Sequence, residues 1–495
     1  MSPSLTLEAS GKAAWWVLIA TSVNVILVFV NATSLIIVMP VVANDFQASP
    51  AQSTWFILAY QLVLTAFIVV FGRLADIFGR KALYVFGVGV FAVSSVVAGV
   101  VGNVDLFVLA RLVQGLGAAA IISNTTAILT DVFPQGKMPM ALGMNATSAA
   151  LGQVLGPVVG GITTEYFSWR WIFIASSALT VFSLLLSWKL VPGRTGRGRD
   201  KFDVFGSVLL ISSLGAFVAG MADGSATGWS SAQGPILIMV AVALMVAFIY
   251  TQAKRSTPLV DLSLFRIPKL GRRYTAVFLC GFSHYAVILL LSIYLQAVEE
   301  LSAFEVSLIA IASPLATMAA AQCAGRLVGK VSTGFLASLG MALVSTASLT
   351  LIVLLQLGHL GGYTYIALVA LGLGIGLFMT PNTSLIMYIT PVERRGVSNG
   401  IRSTALNLGF LTTTAVSLAS ATLFLSPGAR AAIYAGEYPL PSSVHPDFVL
   451  GLQAAFALLA LTALIGAVLG SDRRPRKTPE IPPNPSLAGG NDAHF

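Results

Sequence analysis

The hydrophobic pattern divides the chain into long apolar segments separated by short polar ones. About fourteen segments are long enough to cross a lipid bilayer, because about 20 apolar residues in a helix span its hydrocarbon core. Their predicted positions are 15–42, 54–71, 82–101, 106–130, 140–163, 169–191, 204–222, 235–253, 274–297, 303–324, 335–356, 364–389, 397–425 and 448–470. The pattern therefore predicts an all-α membrane protein with about fourteen transmembrane helices.

The composition agrees with this pattern and excludes several other classes of protein. Of 495 residues, 56% are hydrophobic and 9% are charged, whereas about a quarter of the residues of a soluble domain are charged. The first apolar segment, 15–42, is too long for the core of a cleavable signal peptide. Both cysteines, Cys280 and Cys323, lie in apolar segments. We therefore expect no disulfide framework, no metal site and no cofactor.

The distribution of positive charge predicts the orientation in the membrane. When loops are assigned alternately to the two sides, all but four of the 28 Lys and Arg residues fall on the N-terminal side; the exceptions are Arg111, Arg170, Arg402 and Arg430. Because basic loops stay in the cytoplasm, we predict a multi-pass protein of the plasma (inner) membrane with both termini cytoplasmic. The net charge of +9 is spread over loops that face the bilayer, so we expect a lipid partner and no nucleic acid.

A charged segment between the second and third apolar segments carries the most specific pattern in the chain. It reads Gly72-Arg73-Leu74-Ala75-Asp76-Ile77-Phe78-Gly79-Arg80-Lys81. We predict a ten-residue turn, in which the two glycines let helix ends approach closely and the aspartate can cap a helix N-terminus. The order resembles the signature loop between helices 2 and 3 of the major facilitator superfamily of secondary transporters. The resemblance implies a gating role for Gly72, Arg73, Asp76, Gly79, Arg80 and Lys81.

The fifth apolar segment is rich in glycine at regular spacing. It contains Gly152-Gln153-Val154-Leu155-Gly156-Pro157-Val158-Val159-Gly160-Gly161. Glycines at every fourth position line one helix face and permit close contact with another helix, and the proline invites a bend. The order resembles the antiporter motif of the exporting branches of the superfamily, and Ser168-Trp169-Arg170-Trp171 also fits the fourteen-helix drug:H+ antiporter branch. The resemblance implies gating residues at Gly152, Gly156, Pro157, Gly160 and Gly161.

The fourth span carries an arginine within its apolar sequence. Arg111 lies in the half that is predicted to face outward, and Gln114 shares its helix face one turn later. An arginine at that depth is costly unless it is paired or lines a wet cavity. The arrangement resembles the family's R-x-x-Q-G motif, which implies a role in coupling. The alternative is a structural arginine bonded to backbone carbonyl groups.

The first span departs from the pattern of the fourteen-helix branch at the residue expected to carry a proton. Relatives usually have Asp, followed five residues later by Asn, where this chain has Asn31 and Ile36. No acidic residue lies near the middle of any predicted span. His284, near the centre of the ninth span, is the remaining titratable candidate. Three roles are open for His284: it takes over protonation, it binds substrate, or it is a neutral histidine bonded across a helix interface.

A second arginine lies within the membrane-spanning sequence. Arg402 is in the thirteenth span, and relatives typically place their arginine four residues later, at the position of Leu406. Together with Arg111 it leaves net positive charge in the predicted transport route, since no carboxylate lies at comparable depth. This favours an anionic substrate as an alternative.

A partial internal repeat predicts how the chain is divided. Gly325-Arg326-Leu327 ends the tenth span much as Gly72-Arg73-Leu74 ends the second, which favours two related six-helix halves with two helices between them. The predicted parts are a cytoplasmic N-terminus, a first half, basic loops with two intervening helices, a second half and a disordered cytoplasmic tail. They cover residues 1–14, 15–191, 192–273, 274–470 and 471–495.

Taken together, the resemblance implies a secondary active transporter rather than an enzyme. We expect a monomer that exports small amphipathic compounds by alternating access, with proton antiport. The chain offers no phosphate-binding loop that would make it an ATP-driven pump. One alternative is a carrier for an organic anion or metabolite that does not exchange protons. The other is a membrane sensor or enzyme without transport, although an enzyme should cluster His, Asp or Glu at one membrane face.

Overall fold

The computed structural model describes residues 11–133, 138–191, 193, 202–227, 231–255, 258–328, 330–358, 360–390 and 395–471, and these are helical or loop throughout apart from one isolated bridge. Sixteen α-helices are present in this part of the chain. They are α1 Gly11–Asp45, α2 Pro50–Phe78, α3 Arg80–Val100, α4 Val104–Val132, α5 Met138–Tyr166, α6 Arg170–Leu190, α7 Val204–Thr227, α8 Gln233–Lys254, α9 Leu270–Ala297, α10 Ala303–Ala310, α11 Ala312–Leu327, α12 Thr333–Leu357, α13 Tyr363–Ile389, α14 Arg395–Ala421, α15 Pro427–Ala435 and α16 His445–Gly470.

Each predicted span has its helix. Twelve candidate spans pass a combined test of length and hydropathy, with α10 and α11 counted as one broken span. The remaining two are α5 and α14, whose glycine, serine, threonine and asparagine residues lower their hydropathy. Both pack within the protein, α5 against α1 and α10, and α14 against α9 and α2. Helices α5 and α14 have 29 and 27 residues, so each predicted span corresponds to a helix of spanning length. The predicted all-α fold is confirmed, and fourteen spans agree with it.

The helices alternate in direction, which defines two ends of the bundle. We call the end that holds residues 11 and 470 the terminal end and the end that holds residues 46–49 the distal end. Helices α1 and α9 run in parallel, since Gln296 near the end of α9 donates a hydrogen bond to the carbonyl of Ile37 near the end of α1 (3.1 Å). At the terminal end, Arg273 of α9 donates to the carbonyl of Gly470 of α16 (2.9 Å).

Two groups of helices repeat the same packing pattern. In the first half (α1–α6), α1 packs on α5, α3 on α4 and α6, and α2 on α4. In the second half (α9–α16), α9 packs on α14, α12 on α13 and α16, and α11 on α13. With the broken helix α10–α11 taken as one span, these pairs correspond one to one. The structure therefore confirms two six-helix halves with two helices between them.

The two intervening helices form a hairpin beside the halves. Helix α7 packs on α8, α2 and α14. At its start, the buried carboxylate of Asp203 pairs with Arg255 (2.7 Å) and accepts a hydrogen bond from Gln252 (2.6 Å). The side-chain oxygen of Gln252 in turn accepts from the amides of Leu259 and Val260. This network ties the segment that leads into α9 to the hairpin.

The charged segment 72–81 is not the ten-residue turn that the sequence predicts. Helix α2 continues to Phe78 and α3 begins at Arg80, so that Gly79 alone separates them. Residues 72–78 contain no proline, and the single Gly72 costs a helix only about 1 kcal/mol, so the helix continues through them. The side chain of Asp76, and with it the predicted cap, lies outside the described residues. Most of the terminal segments 1–14 and 471–495 does so as well, and the proposed domain boundaries stay a prediction.

Gly79→Ala is expected to lower the free energy of unfolding by about 1–3 kcal/mol. Gly79 has φ +99° and ψ 136°, a conformation that residues with a Cβ atom rarely adopt. Gly72→Ala is the matched control, because Gly72 lies in helix α2 and nothing is within 4 Å of the position of an added Cβ. Alanine there should leave stability unchanged or slightly higher. Thermal unfolding of the purified variants checks this, and equal melting temperatures would contradict it.

Candidate functional site

A buried polar cluster lies inside the first half, where the sequence predicted a coupling site. Arg111 is 1% exposed and donates hydrogen bonds to the side chain of Gln114 and to the main-chain carbonyl of Asn31 (3.4 Å). Gln114 donates to the side-chain oxygen of Asn31 (3.1 Å) and to Ser95 (2.7 Å). Asn31 donates to Ser176 (2.8 Å). The structure therefore brings Asn31, Arg111 and Gln114 together from two helices.

The charge of Arg111 is compensated without a carboxylate among the described residues. Its Nε atom donates to the carbonyl of Phe56 (3.2 Å), and its guanidinium carbon lies 4.3 Å from the ring centre of Tyr60 and 5.6 Å from that of Phe173. Carbonyl dipoles and ring faces are weaker partners for a cation than a carboxylate. Arg111 is thus sealed from solvent and occupied by protein groups, which is the geometry expected of the structural alternative; its role in coupling stays a prediction.

Aromatic rings cover this cluster at the distal end. Phe107 lies 5.3 Å from Phe56 and from Phe46, and 5.5 Å from Trp169, between ring centres. Asp45, at the end of α1, pairs with Arg170 (2.6 Å) and accepts a hydrogen bond from Trp169 (3.2 Å). Sequence reasoning noted the Trp169-Arg170 pair but missed its acidic partner and the ring cluster. No spacing pattern marks these rings, since they come from four separate segments.

The glycine face of α5 packs closely on α1, as predicted. A Cβ atom added to Gly152 would lie 2.6 Å from the carbonyl oxygen of Ile26, and one added to Gly160 would lie 3.0 Å from that of Ser34. At Gly156 the same atom would lie 3.0 Å from the amide nitrogen of Ser34. Distances below 3.4 Å leave no room for a side chain. Pro157 is buried within α5, which continues through it as one helix.

Gly161 has a different partner from the other glycines of α5. A Cβ added there would lie 2.8 Å from that of Ser307 and 3.0 Å from the Cα of Phe304, both in α10 of the second half. Tyr166 also meets Phe304, with 5.9 Å between ring centres. The glycine motif therefore serves two contacts, one within the first half and one between the halves.

In the charged segment at the terminal end, the described residues show an ion pair but no close helix approach at Gly72. Nothing lies within 4 Å of a Cβ added to Gly72, so close approach of helices at this residue is not seen in this structure. Arg80 pairs with Asp131 of α4 (2.8 Å) and donates to the carbonyl of Ala127 (3.1 Å). Arg73 is half-buried in the last turns of α2, and Lys81 lines a surface groove with Phe78. The predicted gating role of the segment stays a prediction.

The two halves meet near mid-depth through side chains of α2, α9 and α14. Gln61 of α2 donates a hydrogen bond to the hydroxyl oxygen of Tyr285 of α9 (2.7 Å). Tyr285 stacks on Phe410 of α14, with ring centres 4.5 Å apart. His284, 8% exposed, meets the edge of Phe410 and donates from Nδ1 to the carbonyl of Cys280 (2.8 Å). His284 lies near the centre of α9, as predicted, and Gln61, Tyr285 and Phe410 are its neighbours in this contact.

Arg402 lies apart from these groups, on the terminal part of α14. Its side chain is half-buried and donates to Asn399 (3.0 Å) and Ser403 (3.4 Å). No carboxylate of the described residues pairs with it. Arg402 therefore differs from Arg111, which is buried and surrounded by acceptors, because the residue as a whole is only half-buried.

Contacts between the halves close the distal end of the bundle. Gln296 bonds the carbonyl of Ile37, Gly161 meets Ser307, and Gly436 lies against Pro40, where an added Cβ would be 2.8 Å from the proline Cα. Gly436 follows the short helix α15, which packs on α1 and α2. Residues 402–408 of α14, towards the terminal end, are all partly exposed. The described structure is thus closed at the distal end, whereas this terminal part of α14 is only partly buried.

Several known proteins resemble this chain over most of its length. Multidrug resistance protein Stp of Mycobacterium tuberculosis is 28% identical over 79% of this chain and 73% of its own length. Tetracenomycin C resistance and export protein of Streptomyces glaucescens is 28% identical over 96% and 95% of the two chains. Riboflavin transporter RibZ of Clostridioides difficile is 27% identical over 92% and 97%.

The fold is also similar to solved transporter structures. The crystal structure of a D-xylose-proton symporter superposes with a TM-score of 0.66 over 92% of this chain and 97% of that one, at 13% identity, which speaks to the fold alone. A sequence profile of the Major Facilitator Superfamily matches residues 21–414. With two repeated six-helix halves and this match along most of its length, the chain belongs to the Major Facilitator Superfamily and is a multi-pass membrane transporter.

Proposed function

We propose that this protein exports small amphipathic compounds by alternating access, in exchange for protons. The observation that carries the proposal is the closed distal end combined with a partly exposed terminal part of α14. A carrier in this state is accessible from the terminal end, and rocking of the halves would open the distal end instead. Export requires that substrate binds in the first state and leaves in the second. The basic loops favour a cytoplasmic terminal end. The names of the relatives Stp and tetracenomycin C resistance and export protein support export.

His284 is the group that we propose for proton exchange. It lies at mid-depth, between the halves, and its imidazole titrates near neutral pH when unperturbed. Its ring meets Phe410, which stacks on Tyr285, the partner of Gln61 in the other half. Protonation would therefore place a charge beside the contact between the halves, where it can shift their equilibrium.

Everted membrane vesicles provide the test of export. If the terminal end is cytoplasmic, it faces the medium in such vesicles, and a protease added there should cut the basic loops. Vesicles that contain the protein should then take up rhodamine 123, a cationic amphipathic dye, when the lumen is made acidic. Nigericin, which collapses the pH gradient, should abolish this uptake. Uptake no greater than in vesicles without the protein would contradict the proposal.

A carrier for an organic anion is the second candidate function. It is favoured by Arg402, which is partly exposed and has no described carboxylate partner. The name of the relative RibZ, a riboflavin transporter, also shows that relatives are not confined to multidrug export. This candidate predicts uptake of fluorescein, an anion that shares the three-ring core of rhodamine 123.

Arg402→Gln separates the two candidates. If Arg402 binds an anion, fluorescein transport should fall about tenfold or more, since a charge-assisted hydrogen bond contributes about 1.5–3 kcal/mol. Arg402→Lys is the matched control and should retain part of the activity, because it keeps the charge. Rhodamine 123 transport should not fall in either variant. Equal loss of both dyes in Arg402→Gln would assign Arg402 a structural role instead.

A further inference from the structure

A hydrogen-bonded polar pair joins α2 of the first half to α9 of the second near mid-depth. Gln61 is 2% exposed and Tyr285 is 7% exposed, and the amide nitrogen of Gln61 lies 2.7 Å from the hydroxyl oxygen of Tyr285. Around the pair, Leu58 and Leu62 of α2 pack in one apolar cluster with Leu411 of α14. The pair therefore places a hydrogen bond within a largely apolar contact between the halves, close to Tyr60 and Arg111 of the first half.

The hydrogen bonds of this pair are incomplete on both sides. The side-chain oxygen of Gln61 is buried and has no partner among the described residues. The hydroxyl oxygen of Tyr285 accepts the bond from Gln61, so its own proton remains available for donation. Buried polar atoms without partners are rare, and each calls for an explanation such as a ligand or ordered water. The pair thus offers one free acceptor beside one free donor.

A cluster of buried aromatic rings adjoins these free groups. The rings of Tyr285 and Phe410 are nearly parallel, at 22°, with centres 4.5 Å apart, and the ring of His284 stands on Phe410 at 76°. Stacked rings present flat, apolar faces and edges that favour contact with another planar ring. Three helices from both halves supply these side chains, so a compound bound here would touch both moving parts.

We propose that Gln61, Tyr285 and Phe410 recognise a planar aromatic compound whose edge carries a hydrogen-bond donor next to an acceptor, as in a cyclic imide or lactam. The donor of the compound bonds the side-chain oxygen of Gln61, and its acceptor bonds the hydroxyl of Tyr285. Phe410 contributes ring contact. This assignment of a substrate class rests on the proposed function in the transport of small compounds. It makes Gln61 a specificity-determining residue of that transport.

Two probe compounds that differ by one donor test the proposal. 1,8-Naphthalimide carries an imide N–H between two carbonyl groups on a planar ring system, and N-methyl-1,8-naphthalimide lacks the N–H. Binding of each to the purified full-length protein in nanodiscs is measured by the change in probe fluorescence. We expect naphthalimide to bind about tenfold more tightly than its N-methyl derivative, because the latter leaves the Gln61 oxygen without a donor.

Two variants should change binding in different ways. Gln61→Leu removes the amide and should bring the affinity ratio of the two probes close to one, mainly by weakening naphthalimide. Tyr285→Phe keeps the ring but removes the hydroxyl, so it should weaken both probes about fivefold and leave their ratio largely intact. Ser345→Ala is the control, because it removes a buried hydrogen bond to Ala460 within the second half, away from this pair. It should bind both probes as the wild type does.

The outcomes that overturn the proposal are distinct. They are equal affinity of the wild type for the two probes, no measurable binding of either, an unchanged ratio in Gln61→Leu, or unchanged affinities in Tyr285→Phe. Melting temperatures of the variants identify any that fail to fold. If Gln61→Leu does not fold, the milder change Tyr285→Phe still tests the proposal. Because binding is measured without a gradient, it is independent of export. Failure of vesicle uptake with intact probe discrimination would refute the exporter proposal and leave this site standing.

Discussion

Gly156→Leu is expected to reduce transport to less than a tenth of the wild-type rate. The Cβ position at Gly156 lies 3.0 Å from the amide nitrogen of Ser34 in α1, so a leucine side chain must push α5 away from α1. Overpacking of this kind typically costs about 1–3 kcal/mol, and more where backbone atoms form the obstacle. Separation of α5 from α1 would also disturb the contact of Gly161 with α10. Vesicle uptake, normalised to the amount of protein in the membrane, is the measurement.

Gly89→Leu is the matched control for this prediction. Gly89 lies in α3, and nothing is within 4 Å of a Cβ added there. The same change of residue in another transmembrane helix should therefore leave transport near the wild-type rate. If Gly156→Leu were as active as Gly89→Leu, the contact of α5 with α1 would have no part in transport.

Asn31→Asp is expected to make transport respond more strongly to a pH gradient if the natural protein is not proton-coupled. The side-chain oxygen of Asn31 already accepts from Gln114, and Arg111 bonds the main chain of the same residue. A carboxylate would thus lie beside a buried guanidinium that has no described acidic partner. It would restore, at the position where relatives usually have Asp, a group that can bind and release a proton.

Proteoliposomes with an imposed pH gradient distinguish the two cases. If His284 couples the natural protein to protons, His284→Ala should abolish the response to the gradient and Asn31→Asp should change it little. If the natural protein is not coupled, the gradient should have no effect until Asn31→Asp is made. We expect the first result. A wild-type protein that is indifferent to the gradient would contradict the proposed proton antiport.

Asn31→Gln provides the control for the change of size at this position. It keeps a neutral amide beside Gln114, so it should not create a response to the gradient. If the wild type is indifferent to the gradient, a response in both variants would point to altered packing rather than to the carboxylate. The three substitutions at residue 31 and His284 thus test which residue carries the proton.

Local breaks in the helices were harder to predict than the spans. The tenth span is interrupted at Ile311, between α10 and α11. Pro314 has no amide proton to donate to the carbonyl of Ala310, so the helix loses a bond there. This break has a visible cause in the sequence, although the hydrophobic pattern passes over it. At 72–81 the prediction failed in the opposite way: the charged residues suggested a turn, but helix α2 continues to Phe78.

The candidate site was only partly predictable. Arg111, Gln114 and Asn31 stood out because polar residues in apolar spans are costly, and the structure brings them together. Gln61, Tyr285 and Phe410 did not stand out. Each fits a span as an ordinary half-polar or aromatic residue, and only the meeting of α2, α9 and α14 makes them neighbours.

The sequence by itself determined that this chain is an all-α membrane protein, and it predicted about fourteen spans. It could do so because backbone groups in lipid must be satisfied within each helix, and the length and hydropathy of a helix are read from consecutive residues. It also determined the face of α5 that needs glycine, since helical spacing fixes which residues share a face. Only the tertiary structure decided which helix that face meets and which end of the bundle is closed. It alone showed that Arg111 is enclosed while Arg402 is partly accessible. Those properties depend on contacts between side chains that are far apart in the sequence, and a local sequence pattern does not predict such contacts.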